Sequence, residues 1–312
     1  MKILLFTHEQ DIDGMGSIII ASQAFSSFDY ITCQTFEVNQ KVKETIDNGK
    51  IYDYDFIYVT DICIKEPLLK QISNDKRLKD KIIILDHHKS EIEEGNDKYP
   101  FVNIIVSNEK GKQSGTSLFY NYLITNNLLK PTSFLDELVE LTRQYDTWEW
   151  KDIYKNPKAR MLHILFEQQG YKEYLNQMIK AAETKTKVEF NSNQLAIIDN
   201  YEQNLSDEIT KCLNEIKVYS LDILGVTYKI GFVKSLYKYR NDFEEAISKN
   251  NIYDIDAVGI IMLDKNTVSY RKIKNIDVSK IGAYFGGKGH KGAASNPQDN
   301  QKFIKVLSLI YK

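Results

Sequence analysis

Short apolar runs alternate with helical patterns through the first third of the chain, and that alternation constrains the fold more than any other feature. Ile3–Phe6, Ile31–Phe36, Phe56–Val59, Ile82–Leu85 and Val102–Val106 read as strands, several of them continuously apolar, as strands buried on both faces are. Between them, Met15–Phe25, Val42–Asn48 and Pro67–Ile72 carry helical patterns, with Pro67 suited to a first helical turn. That order predicts an α/β fold, a mostly parallel sheet flanked by helices on both faces. From Ser114 to about Lys187 the pattern turns helical, and Asn191 to about Val218 reads as one long polar helix. Leu221–Val233, Ala257–Leu263 and Val268–Arg271 return to strands, with Asp264-Lys265-Asn266 as a tight turn between the last two. A glycine cluster follows, which in isolation reads as a loop before a helix at Ala293-Ala294, and then a final apolar helix. These shifts predict a first domain at 1–190, a helical connector at 191–218 and a smaller α/β domain at 219–312.

Composition narrows the setting. With 42% hydrophobic and 27% charged residues in a chain of 312, and no apolar run near the roughly 20 residues that cross a bilayer, the expectation is a globular cytoplasmic protein without a membrane partner. Met1–Phe6 resembles a signal segment only until His8, Asp11 and Asp13 interrupt it, so it reads as a buried first strand. Cys33, Cys63 and Cys212 are few, odd in number and far apart, which points to reduced packing residues. A net charge of −2 offers no general attraction for a long polyanion, so nucleic-acid binding would have to come from local cations or from metals.

Metal-competent residues gather where the strands should end. Strand one runs into Thr7–Ser17, which contains His8, Asp11 and Asp13; strand three runs into Asp61; strand four runs into Asp86-His87-His88. In an open α/β sheet the carboxyl ends of the strands face one crevice, so these residues converge. So many unpaired carboxylates would repel in a partly dry cleft, and divalent cations resolve the conflict. Each piece alone has a plainer reading: Asp11-Ile12-Asp13-Gly14 as a capped turn, Asp61 as a cap. The histidines are harder to dismiss, because three of only five stand at strand ends.

The order and spacing of these motifs resemble the DHH phosphoesterases over nearly the whole chain. Thr7–Ser17 is similar to the family's first motif, Asp61 to the second, Asp86-His87-His88 to the third, which names the family, and Asp146 in Gln144–Trp148 to the fourth. The resemblance implies that His8, Asp11 and Asp61 hold one metal ion. Asp13, Asp61, His87 and Asp146 would hold another, with Asp61 bridging. His88 would face the substrate phosphate and Asp86 would hold the histidines. Asp146, at the end of a helical pattern with Leu138, Leu141 and Tyr145 on its apolar face, reads on its own as a surface acid; only the resemblance makes it a ligand. An oxygen and imidazole set suits manganese, with magnesium as the alternative, better than a thiolate-seeking ion.

The glycine-rich end, Gly286-Gly287-Lys288-Gly289-His290-Lys291-Gly292, can bring backbone amides and positive charge to an anion. Placed after Val268–Arg271, it resembles the family's DHHA1 accessory domain, in which Arg271, Gly286, Gly287, Gly289 and His290 would contact the substrate phosphate. The family's Ala-Ala-Gly is Ala-Ala-Ser here, at Ala293-Ala294-Ser295. The resemblance thus implies a metal-dependent phosphodiesterase or exonuclease that hydrolyses short RNA or DNA oligonucleotides to mononucleotides by a hydroxide activated between two metals. Alternatives are a 3′,5′-bisphosphoadenosine phosphatase, a phosphodiesterase of cyclic or linear dinucleotides, and an inactive DHH-fold binding protein. Longer-strand exonucleases usually carry further modules, and pyrophosphatases a different second domain. Homodimerisation is left open, as are strand polarity and the choice between RNA and DNA.

Overall fold

The computed structural model describes residues 1–240, 242, 243, 246, 247 and 254–310; the rest of the expected second domain lies outside the described residues. The chain divides into two compact units, 1–198 and 199–312. Helix α10 (Ser192–Glu215) runs from the first into the second. Among the described residues no helix is long and apolar enough to cross a membrane.

Unit one is built on a five-stranded parallel sheet in the order β2-β1-β3-β4-β5: β1 (Ile3–His8), β2 (Phe28–Cys33), β3 (Phe56–Thr60), β4 (Ile82–Asp86) and β5 (Val102–Ile104). Period-two alternation sends Leu4 and Phe6 of β1 to one face. There they pack with Val38, Val42 and Ile46 of α2 (Val38–Asp47) and Leu68, Leu69 and Ile72 of α3 (Leu68–Asn74). On the other face Tyr58 of β3 meets Phe119 and Tyr122 of α5 (Gly115–Thr125). Helix α1 (Ile12–Ala24) contacts α5 there and is buried from Ile12 to Ala21, as a helix with a sheet on one side and helices on the other must be. The predicted α/β architecture with helices on both faces is therefore the one observed.

Strand β2 lies three residues earlier than the apolar pattern places it. It is an edge strand that pairs only with β1, so its exposed positions are free to be polar, and Phe36 ends up in the turn before α2. Between β4 and β5 lies the short α4 (Lys89–Glu93); after β5 come a small hairpin, β6 (Ser107–Asn108) and β7 (Gly111–Lys112), then α5, α6 (Ser133–Asp146), α7 (Glu149–Asp152), α8 (Pro157–Gln169) and α9 (Tyr171–Thr184).

Unit two carries a mixed six-stranded sheet, whose first strands in chain order are β8 (Lys217–Ile223), β9 (Val226–Ser235), β10 (Ala257–Met262) and β11 (Thr267–Lys272). The single run Leu221–Val233 is in fact the two strands of a hairpin. Leu224 and Gly225, at φ 53° and 80°, form a two-residue turn that the apolar leucine conceals. Ala293 and Ala294 belong to a strand, Ala293–Pro297, between β11 and the short Lys288–Gly289 strand. Pairing on both edges outweighs alanine's helical preference.

Candidate metal centre

Strands β1, β3 and β4 are neighbours, and their carboxyl ends open on the same edge of the sheet. The chain leaves β1 for β2 on one side and reaches β3 on the other, and such a reversal opens a ligand crevice in α/β folds. His8 is the last residue of β1, Asp11 the N-cap of α1 and Asp13 in its first turn. Asp61 follows β3 directly, Asp86 ends β4, His87 and His88 come next, and Asp146 ends α6. A hydroxyl relay ties these elements together: Thr60 donates to Thr7 at 2.9 Å, and Thr7 donates to the Gly14 carbonyl at 3.0 Å.

The residues form two triads. His8, Asp11 and Asp61 make one, and Asp13, His87 and Asp146 the other. His8 Nδ1 lies 2.9 Å from Asp11 Oδ2 and 3.7 Å from Asp61 Oδ2. His87 Nε2 lies 3.2 Å from Asp61 Oδ1, 3.5 Å from Asp146 Oδ2 and 3.8 Å from Asp13 Oδ2. Asp61, only 2% exposed, thus turns one oxygen to each triad. Asp11 is both things its sequence suggests: Oδ1 caps α1 by accepting the Gly14 amide at 3.0 Å, while Oδ2 faces the cluster.

The electrostatics record the crowding. Burial, and then the charges of Asp13 and Asp11, push the Asp61 and Asp146 carboxyls well above the usual range. Burial also lowers the His87 pKa. For His8 and His88 burial acts the same way, but the hydrogen bonds to Asp11 and Asp86 and the nearby carboxylate charges together outweigh it, and both are raised. Asp61 Oδ2 and Asp146 Oδ2 are buried with no hydrogen-bond partner, one in each triad. Buried, orphaned carboxylate oxygens facing imidazole nitrogens are what a hard cation requires. Four carboxylates in the two triads match the charge of two divalent ions, so the donor set fits such a pair.

Behind the triads, Asp86 is fully buried. Its Oδ1 accepts from the His87 amide at 2.7 Å, the His88 amide at 3.3 Å and His88 Nδ1 at 2.7 Å. That grip places the half-exposed His88 ring at the rim with its Nε2 free of Asp86.

Two positioning features escape sequence reading because their partners are remote. Asp13, fully buried, accepts from the amides of Gly115 at 2.6 Å and Thr116 at 2.9 Å, so the N-terminus of α5 orients it. Asp61 has a left-handed backbone, φ 62°, directly against Gly115, where an added Cβ would stand 2.5 Å from the Asp61 Cβ. Gly115→Ala must therefore push Asp61 out of place. The expected result is a loss in kcat/KM of about 100-fold with the far-ultraviolet circular dichroism unchanged, since even small displacements of reacting groups cost that much.

The sequence pattern of the DHH family, N-terminal domain, matches residues 2–145. Oligoribonuclease NrnB of Bacillus subtilis is 30% identical over 295 residues, a match covering 93% of this chain and 71% of that protein. The chain belongs to the DHH family. Two solved structures share the fold over the DHH chain's length. The pGpG-specific phosphodiesterase PggH from Vibrio cholerae has a TM-score of 0.57 at 11% identity, covering 100% of this chain and 99% of that one. Exonuclease RecJ bound to manganese has a TM-score of 0.59 at 13% identity, covering 99% and 89%.

Outside the segment matched to the DHH pattern, unit two holds a cavity of about 390 Å3 whose lining includes Arg240, Arg271, Lys288, Ser269 and Gly289. No acid lines it. Thr267, Ser269 and Arg271 are alternate residues of β11 and share its pocket face. That alternation was the available signal for Thr267 and Ser269. Ser269 Oγ accepts from Arg271 Nη1 at 2.6 Å. Gly286, Gly287 and His290 lie outside this lining. Gly287 has a packing reason to be glycine: a Cβ there would fall 1.7 Å from the Ser295 carbonyl oxygen.

Proposed function

We propose that this chain hydrolyses the phosphodiester bonds of short oligonucleotides to mononucleotides, using a pair of divalent metal ions. The observation that carries the reading is Asp61, which offers one oxygen to each of two acid–histidine triads. The likeness to an oligoribonuclease along most of the chain supports the substrate class. His8, Asp11 and Asp61 would hold one ion, and Asp13, Asp61, His87 and Asp146 the other. Bound there, the ions supply Lewis acidity, making water nucleophilic near neutral pH and stabilising the leaving oxygen. Asp86 keeps His88 in the tautomer or charge state that donates, and His88 donates to a phosphoryl oxygen as its charge grows. Arg271 holds a further phosphate of the substrate, with Gly286, Gly287, Gly289 and His290 shaping the loop around it. Manganese, the ion bound in the RecJ structure, suits this oxygen and imidazole set. Three free, buried cysteines agree with a reducing, cytoplasmic setting.

The test offers manganese-loaded protein a dinucleotide, a pentanucleotide, a long single strand, 3′,5′-bisphosphoadenosine, cyclic dinucleotides and pyrophosphate. Fastest hydrolysis of the shortest RNAs is expected; cleavage of pyrophosphate alone would overturn the reading. Chelation should abolish the activity and manganese restore it. A metal at 100 times its dissociation constant should also stabilise the fold by about 2.7 kcal/mol, read as a rise in Tm. Activity that survives chelation excludes the two-metal reading.

A further inference from the structure

The two tryptophans of the chain, Trp148 and Trp150, stand just after Asp146, and the structure treats them differently. Trp150 is partly buried, with its indole nitrogen enclosed. Trp148 is 44% exposed, and its backbone is left-handed at φ 63°. A bulky residue pays for that conformation, and such outliers cluster where a side chain must be aimed. The Trp148 amide donates to the Tyr145 carbonyl at 3.1 Å, which fixes the turn straight after Asp146.

Behind the exposed indole stands a set of nearly parallel rings. Tyr145 lies 29° from the plane of Trp148 and 18° from that of Trp150, both with centroids 6.2 Å away. His163 of α8 also stacks on Tyr145, at 4.3 Å and 21°. The ring set therefore starts from Tyr145, the residue next to Asp146, with Trp148 as its solvent-facing end.

We propose that Trp148 is the stacking platform for the nucleobase next to the scissile phosphate. Resting on the proposed oligonucleotide hydrolysis, this makes the metal-bearing unit itself select base-bearing phosphodiesters. A base has a flat π-face whatever its identity, so the platform is tolerant of sequence, as an enzyme clearing mixed fragments requires. The Tyr145 and His163 rings keep the indole from collapsing into the core, so stacking costs little reordering. Trp148 thus positions the substrate, and the triads act on the bond.

Two readouts test it. The first is indole fluorescence of the magnesium-loaded protein, titrated with adenosine 5′-monophosphate or with ribose 5-phosphate. The nucleotide should quench and the sugar phosphate should not, and the quenching should vanish in Trp148→Phe, where only Trp150 emits. The second is kcat/KM on a dinucleotide and on the same backbone without bases. Trp148→Ala should lose at least about fivefold on the dinucleotide, the lower range for one stacked base, with the loss confined to that substrate. Trp148→Phe should regain most of it. Equal losses on both backbones, or a nucleotide that leaves the fluorescence unchanged, would overturn the platform and leave Trp148 as a support for Asp146. Failure of the wild type to cleave either backbone would instead overturn the proposed function.

Discussion

Asp61→Asn is expected to lower kcat/KM by at least about 1,000-fold, the upper range for removing one preorganised charge-stabilising group, and to bring bound manganese below the two ions per chain proposed for the wild type. Asn keeps the shape and tolerates the left-handed backbone, so the fold should persist. The stability effect runs the other way. Burial and neighbouring charge raise the Asp61 pKa in the metal-free fold, so above its unfolded value the ionised form costs stability. The metal-free variant should therefore melt at or above the wild-type temperature, while the Tm gain on adding manganese shrinks. Elemental analysis and paired melting curves check both. Cys63→Ala is the control. Its thiol is buried near Asp86 and Glu91, and burial pushes its pKa far up, so it stays a neutral packing group. Undiminished metal content in Asp61→Asn would remove the shared-ligand assignment.

Arg271→Ala separates cleavage from placement. It removes a guanidinium from the pocket of unit two and changes no residue of either triad. On a dinucleotide the expected loss in kcat/KM is about 10- to 100-fold, the scale of a charge-assisted hydrogen bond. Part of it should appear in kcat, because binding away from the reacting bond aligns that bond. A small activated diester that cannot fill the pocket should be cleaved within about twofold of the wild-type rate. His88→Ala should cripple both substrates. Equal losses on the two substrates in Arg271→Ala would assign that residue to the fold of unit two instead.

Much of the first unit could be read in the sequence, because its signals are local. Apolar runs of strand length alternating with helical periods imply a parallel sheet, and a parallel sheet brings its strand ends to one edge. From that alone His8, Asp11, Asp13, Asp61, Asp86, His87 and His88 belong in one crevice, and the structure brings them there. Where the local signal was weak, reading slipped. An edge strand need not be continuously apolar, so β2 was misplaced; a leucine in the turn hid the β8–β9 hairpin; helix-favouring alanines formed a strand between two neighbours.

What the sequence by itself determined is the kind of fold and the chemical inventory, since periodicity and residue type need no partner to be recognised. The tertiary structure decided the arrangement. It set the α5 amides on Asp13 across about a hundred residues of chain, and pressed Gly115 against Asp61. It also turned Asp146 from an apparent surface acid into a partly buried neighbour of His87 with Oδ2 enclosed, and left Trp148 alone among its stacked rings to face solvent. The contacts of Asp13, Gly115 and Asp146 join segments distant in sequence, and such contacts leave no periodic trace: only packing creates them.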